Sequence, residues 1–234
     1  MTKHTFVLVH GAWHGGWCWR RLVDLLEARG HKAYAPTLTG LGEKLHLLSK
    51  DITLQTHVDD IVNLVNWEGL ENVCLVGHSY GGMPTSVAAE ALEGRLSSFV
   101  FLDAFCPEDG ETPLDIVPAA RGDEIRAAIT RGEAGGAGPP AAWFRVNEAD
   151  RAWVDSKCTL QPNGVWLGKM KLSGARERVA KKSYIRAGLY PNPIFDAHME
   201  KCRARGWRVM TANAGHDVMI DAPEELARML VDVA

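Results

Sequence analysis

A serine framed by glycines, Gly77-His78-Ser79-Tyr80-Gly81, follows directly on the apolar run Val73-Cys74-Leu75-Val76. A hydroxyl on a tight strand-to-helix turn is presented above a sheet edge, where it can attack a carbonyl carbon. The turn closes only if its neighbours are small, hence glycine two before and two after Ser79. The Gly-x-Ser-x-Gly pattern alone also describes an ordinary glycine-rich turn. Its surroundings favour the nucleophile: the preceding run is of the kind used by buried parallel strands, and the alanine-rich stretch Gly82–Leu92 reads as a helix.

A serine hydroxyl is barely ionised at neutral pH, so it needs a base within reach and an acid to orient that base. Of nine histidines, His216 in Asn213-Ala214-Gly215-His216-Asp217 stands between the last strand-like run and the final helix. Its loop should therefore lie above the same sheet edge. His78 is expected to point away from Ser79, His57 to cap a helix near Asp59 and Asp60, and His4, His31, His46 and His198 to serve surface or packing. For the acid, Asp103 ends the run 98–102 behind the nucleophile's helix and takes the role. The usual place, after the penultimate strand at 183–186, holds no acid; Asp196 comes later, in the next helix, and is the alternative.

The first loop, His10-Gly11-Ala12-Trp13-His14-Gly15-Gly16, follows a strand and lets main chain approach a bound carbonyl. The N–H groups of Ala12 and Tyr80 are the expected oxyanion donors, and Gly11 and Trp13 are expected to touch substrate. The loop lacks Gly-x-Gly-x-x-Gly spacing and a Walker lysine, which excludes a phosphate cradle. His10 and His14 lie on a loop with no carboxylate beside them, so no metal is expected. The chemistry requires no cofactor.

The elements that must position these residues alternate. Strand-like runs at 5–9, 32–35, 73–76, 98–102, 183–186 and 208–211 interleave with helix-like runs at 19–29, 54–65, 82–92, 193–205 and 223–233. This predicts an α/β fold with a mainly parallel twisted sheet of about six strands and helices on both faces. Residues 1–104 and 183–234 form the core of that reading. Between 105 and 182 the alternation fails, and Trp143, Phe144, Trp153 and Trp166 appear beside a flexible Gly/Pro run at 132–140. The segment reads as an inserted helical cap, with Trp143 and Trp153 facing an apolar substrate.

The 234 residues are 46% hydrophobic and 24% charged, with a net charge of −3. No basic cluster marks a nucleic-acid or membrane footprint, so a small-molecule ester is the expected partner, and a homodimer is compatible with the chain. Five scattered cysteines look like reduced thiols. The chain enters a strand at Thr5, leaving no room for a signal peptide, and holds no membrane-length apolar run; the cytoplasm is the expected location.

The stretch Val9 to Trp19, the elbow Gly77 to Gly82 and Gly215-His216-Asp217 together resemble the α/β-hydrolase superfamily. Within it the chain is similar to the branch of plant methylesterases, hydroxynitrile lyases and bacterial EstC-like esterases. The resemblance spans nearly the whole chain, is weakest in the cap, and implies an α/β-hydrolase fold and a serine esterase with an acyl-enzyme intermediate. The lyases of this branch carry a threonine where this chain has Gly11 and a lysine where it has Asp217, so hydrolysis is favoured. Members with the acid after the earlier strand include cofactor-independent dioxygenases. Lyase or dioxygenase chemistry, or a ligand-binding receptor with little turnover, are the alternatives.

Overall fold

The computed structural model describes residues 2–234. Its strands are β1 (Thr5–Val9), β2 (Lys32–Tyr34), β3 (Val73–His78), β4 (Leu96–Leu102), β5 (Gly135–Gly136), β6 (Gln161–Pro162), β7 (Lys181–Ala187) and β8 (Arg208–Ala212). Six of them form one parallel sheet in the order β2-β1-β3-β4-β7-β8. Side chains alternate between its faces as strand geometry requires. Val7, Leu75, Phe99 and Phe101 point into one core, and Phe6, Leu8, Cys74, Val76 and Val100 into the other.

Helices α1 (Arg20–Ala28), α2 (Leu54–Trp67), α3 (Gly82–Leu92), α8 (Pro193–Ala204), the short α9 (Val218–Asp221) and α10 (Pro223–Val233) connect or follow these strands. Leu22, Leu26, Leu226 and Leu230 of α1 and α10 cover one face, while Ile61, Val65, Met83 and Ala88 of α2 and α3 cover the other. Each fully buried Leu, Ile, Val or Met among them contributes about 1.5–3 kcal/mol. The chain leaves β1 in one direction for β2 and returns on its other side as β3, so a crevice opens between the loops that follow β1 and β3.

Between β4 and β7 the chain forms four short helices, α4 (Pro113–Ile116), α5 (Ala119–Thr130), α6 (Glu148–Lys157) and α7 (Ala175–Arg178). The strands β5 and β6 pair antiparallel as a small ribbon. The Gly/Pro run expected to be flexible is thus partly a strand, and Gly138 lies so close to Trp13 that an added Cβ would meet its ring at 2.6 Å. Among the described residues no helix is long and apolar enough to cross a membrane.

Candidate active site

Four loops at the carboxyl edge of the sheet, after β1, β3, β4 and β8, carry the candidate residues, and three of them hold backbone that an L residue seldom adopts. Trp13 after β1, Ser79 after β3 and Asp103 after β4 have φ of 65°, 53° and 44°. Left-handed backbone costs a non-glycine residue about 1–2 kcal/mol and clusters at functional sites, where surrounding structure holds it in place. At the elbow the neighbouring glycines make that possible. A Cβ on Gly77 would stand 2.5 Å from Thr85 Oγ1, and one on Gly81 2.7 Å from the His10 carbonyl oxygen.

His216 Nδ1 donates to Asp103 Oδ2 at 2.6 Å, which leaves Nε2 as the free nitrogen of the ring. Asp103 is fully buried. Its other oxygen accepts from Arg186 Nη1 at 2.6 Å and from the Ala187 N–H at 3.1 Å. The imidazole lies between Phe144 and Phe195, both ring centroids 5.3 Å away, and beside Tyr190 at 4.8 Å. It also packs 4.5 Å from His78, the neighbour of Ser79. Among the described residues neither the Ser79 hydroxyl nor His216 Nε2 has a hydrogen-bond partner. Bonds of this kind commonly tighten only when substrate binds.

Asp196, the alternative acid, does not reach His216: it bonds Arg186 Nε at 2.8 Å from a largely exposed position on α8. Arg186 was not singled out from sequence. An arginine near the carboxyl end of a strand-like run, next to the apolar Tyr184 and Ile185, was the available signal. Burial opposes its charge, but Asp103 and Asp196 outweigh that and raise its pKa.

Ala12 is buried, and among the described residues its N–H has no acceptor. Gly11 lies against Ser79, since an added Cβ would stand 2.9 Å from Ser79 Cβ. Tyr80 lies at the start of the elbow helix, where N–H groups lack intrahelical acceptors. Its phenol donates to His57 Nδ1 at 3.0 Å, and His57 Nε2 donates to the Thr39 carbonyl at 2.9 Å. His57 is therefore a buried brace for Tyr80; Thr53, not His57, caps α2.

His78 turns toward the loop that carries His216 and donates from Nε2 to the His216 carbonyl at 3.1 Å. Trp13 is held by the cap, with Nε1 donating to the Gly136 carbonyl at 3.0 Å and Arg121 over its ring. Trp153 packs on Trp17 at 5.2 Å under Arg21, and Trp143 is 66% exposed. The cap aromatic that meets His216 is thus Phe144, whose carbonyl also accepts the His216 N–H at 2.8 Å. A groove of about 530 Å³ lies beside Gly138, lined by Leu45, Pro139, Pro140, Cys158 and Leu160.

His14 bonds Asp217 Oδ2 through Nε2 at 3.1 Å, both residues buried. Burial works against each charge, yet the pair prevails: His14 is raised, and His14 holds Asp217 below the usual carboxylate range. Burial, with His216 next to it, lowers His78 well below an ordinary histidine. His78, His216 and Asp217 each bring a potential metal-ligating atom within 4.8 Å of the others. His78 Nε2, His216 Nδ1 and Asp217 Oδ2 are engaged in hydrogen bonds, whereas His78 Nδ1 and Asp217 Oδ1 have no partner among the described residues.

The description Alpha/beta hydrolase family matches residues 6–229. The chain is 39% identical over 236 residues to the carbendazim hydrolyzing esterase of a Nocardioides species, covering 96% of this chain and 97% of that protein. It is 44% identical over 107 residues to salicylic acid-binding protein 2 of Nicotiana tabacum, covering 45% and 41% of the two chains. An extracellular alpha/beta-hydrolase from a Paenibacillus species superposes with a TM-score of 0.86 at 23% identity, over 99% of each chain, a likeness of fold. With a family match over nearly its full length and a relative aligned end to end, this chain belongs to the alpha/beta hydrolase family.

Proposed function

We propose that this carboxylic ester hydrolase is a serine esterase acting on small esters with an aromatic or apolar part. Ser79 attacks the ester carbonyl carbon. His216 Nε2 accepts its proton and returns it to the departing alcohol, and the Ser79 acyl-enzyme is then cleaved by water that His216 deprotonates. Asp103 holds the imidazole so that Nε2 faces the reaction. The N–H groups of Ala12 and Tyr80 receive the developing oxyanion, each worth about 3 kcal/mol in a dry site. The observation that carries the reading is the 2.6 Å bond from His216 Nδ1 to Asp103, made beside an elbow serine in left-handed backbone.

The substrate class is supported by the apolar packing around His216 and by the relatives' names. Several plant relatives are called methylesterases, which puts methyl esters first among alcohol parts. Cyanide-releasing chemistry fits poorly. A threonine at position 11 would crowd Ser79, and the position after His216 holds a buried anion bound to His14 instead of a cation.

Fluorophosphonate labelling followed by peptide mapping tests the nucleophile, and a burst with p-nitrophenyl acetate tests the acyl-enzyme. The expected result is one label, on Ser79, and a burst of one equivalent per active site. A label elsewhere, or turnover unaltered in Ser79→Ala, overturns the reading. Oxygen uptake or ligand binding without turnover would instead mark a dioxygenase or a receptor.

A further inference from the structure

Ala12 offers only a backbone N–H to the oxyanion, so the direction of that N–H depends on the peptide planes flanking the residue. Both planes are held from behind. The Gly11 carbonyl accepts from His10 Nδ1 at 2.8 Å, which steadies the plane that carries the Ala12 N–H. The next plane, Ala12–Trp13, is gripped at both ends. Its carbonyl accepts from His14 Nδ1 at 2.8 Å, and its N–H donates to Gln161 Oε1 at 3.0 Å. That plane leads into Trp13 at φ 65°, a conformation tryptophan seldom adopts unaided.

We propose that His14, anchored by Asp217, and Gln161 of the cap are positioning residues that lock the Ala12–Trp13 peptide and so aim the Ala12 N–H at the oxyanion. The proposal rests on the serine-esterase reading above. His14 has no freedom to act otherwise. Its ring stacks on Trp17 at 5.2 Å, one nitrogen faces Ala12, and the other faces Asp217. Asp217 follows His216 in the chain, so the ion pair also ties the oxyanion loop to the loop of the base. His78 completes the brace through its bond to the His216 carbonyl. Gln161 is buried in β6, so the seating of the cap and the direction of the oxyanion donor are mechanically joined.

Two substitutions at one position separate this role from plain support. His14→Gln keeps an amide near Nε2 for Asp217 but removes the donor to Ala12. His14→Asn does the reverse, because its amide falls where Nδ1 stands. With p-nitrophenyl acetate, His14→Gln should lower kcat about 100-fold and leave KM within about threefold, as a misaimed oxyanion donor would. His14→Asn should recover at least about tenfold of that loss while melting at the lower temperature, since it leaves Asp217 buried and unpaired. Activity and stability therefore cross between the two variants. Gln161→Ala, uncharged and outside the ion pair, should lower kcat about tenfold with KM unchanged.

A kcat that simply follows the melting temperature across these variants overturns the proposal, as does wild-type kcat in folded His14→Gln or Gln161→Ala. If neither His14 variant folds, Gln161→Ala alone decides between a tenfold fall and none. Labelling of wild-type Ser79 keeps the two readings apart. Without that label the esterase mechanism and the clamp both fail; with it, unchanged variant kcat removes the clamp alone.

Discussion

At the carboxyl edge of the sheet, Asp103 and Asp217 are fully buried and each is bonded to a histidine, at 2.6 and 3.1 Å. In the cap, by contrast, charged pairs such as Arg121–Glu124 and Arg131–Glu133 stand at the surface. An exposed pair contributes about 0–1 kcal/mol, whereas stripping one partner from a buried pair costs about 3–5 kcal/mol. The edge is thus built so that each buried charge depends on the few groups bonded to it, and the cap so that surface charges are replaceable. Among the bonds that join the two regions, those to Trp13 and His216 come from Gly136, Thr159, Gln161 and Phe144. Chemistry should therefore be sensitive to the edge, and substrate choice to the cap.

Ser79→Ala is expected to break the edge most completely, lowering kcat about 10⁶-fold, with a residual rate from the oxyanion donors. Steady-state hydrolysis of p-nitrophenyl acetate measures it. Asp103→Asn should lower kcat about 10⁴-fold by favouring the wrong imidazole tautomer. Asp196→Asn serves as its control, and a larger loss there than at Asp103 would move the acid to α8.

Arg186→Met leaves the buried Asp103 carboxylate without its cation and should cost about 3–5 kcal/mol in urea unfolding. A smaller effect extends the contrast to protons. Burial lowers His10 to about 3, and His57 and His198 to about 4. The unfolded chain binds protons at these sites near pH 6.5 and the folded chain does not. Stability from this source is therefore complete above about pH 6.5 and is lost as pH falls toward 4, by up to about 1.4 kcal/mol per pH unit for each histidine. His198 has no hydrogen bond to either ring nitrogen. His198→Leu should flatten that slope in unfolding curves taken between pH 6.5 and 4; an unchanged slope would show that His198 is not among its sources. Trp143→Ala, at an exposed cap position, should alter stability by no more than about 0.5 kcal/mol. Its effect should be confined to KM across a series of esters, and a fall in kcat would place Trp143 at the edge.

Elements whose signal is local were legible in the sequence. Strands β1 and β3, the elbow and helix α3 follow from a few adjacent residues, because buried strands and tight turns restrict composition directly. Asp103 was legible as one of two candidate acids, beside Asp196, because it ends the strand that follows the Ser79 helix. Arg186, His14 and Phe144 were not, since each gains its importance from a distant partner. The cap was legible as an interruption only. Trp143 and Trp153 resemble substrate contacts in composition, yet their surroundings send one to solvent and the other onto Trp17.

The chain's order of residues by itself determined an α/β architecture, a serine on a strained turn and a histidine on the last loop, because each depends on neighbours in sequence. Tertiary structure decided which acid bonds that histidine and what restrains it. The parallel register sets Leu102 beside Ile185, which brings Asp103 level with Arg186, and closure of the loops brings His14 to Asp217 across 203 positions. Such pairings belong to no local pattern, because the energy of a buried charge depends on what surrounds it in space.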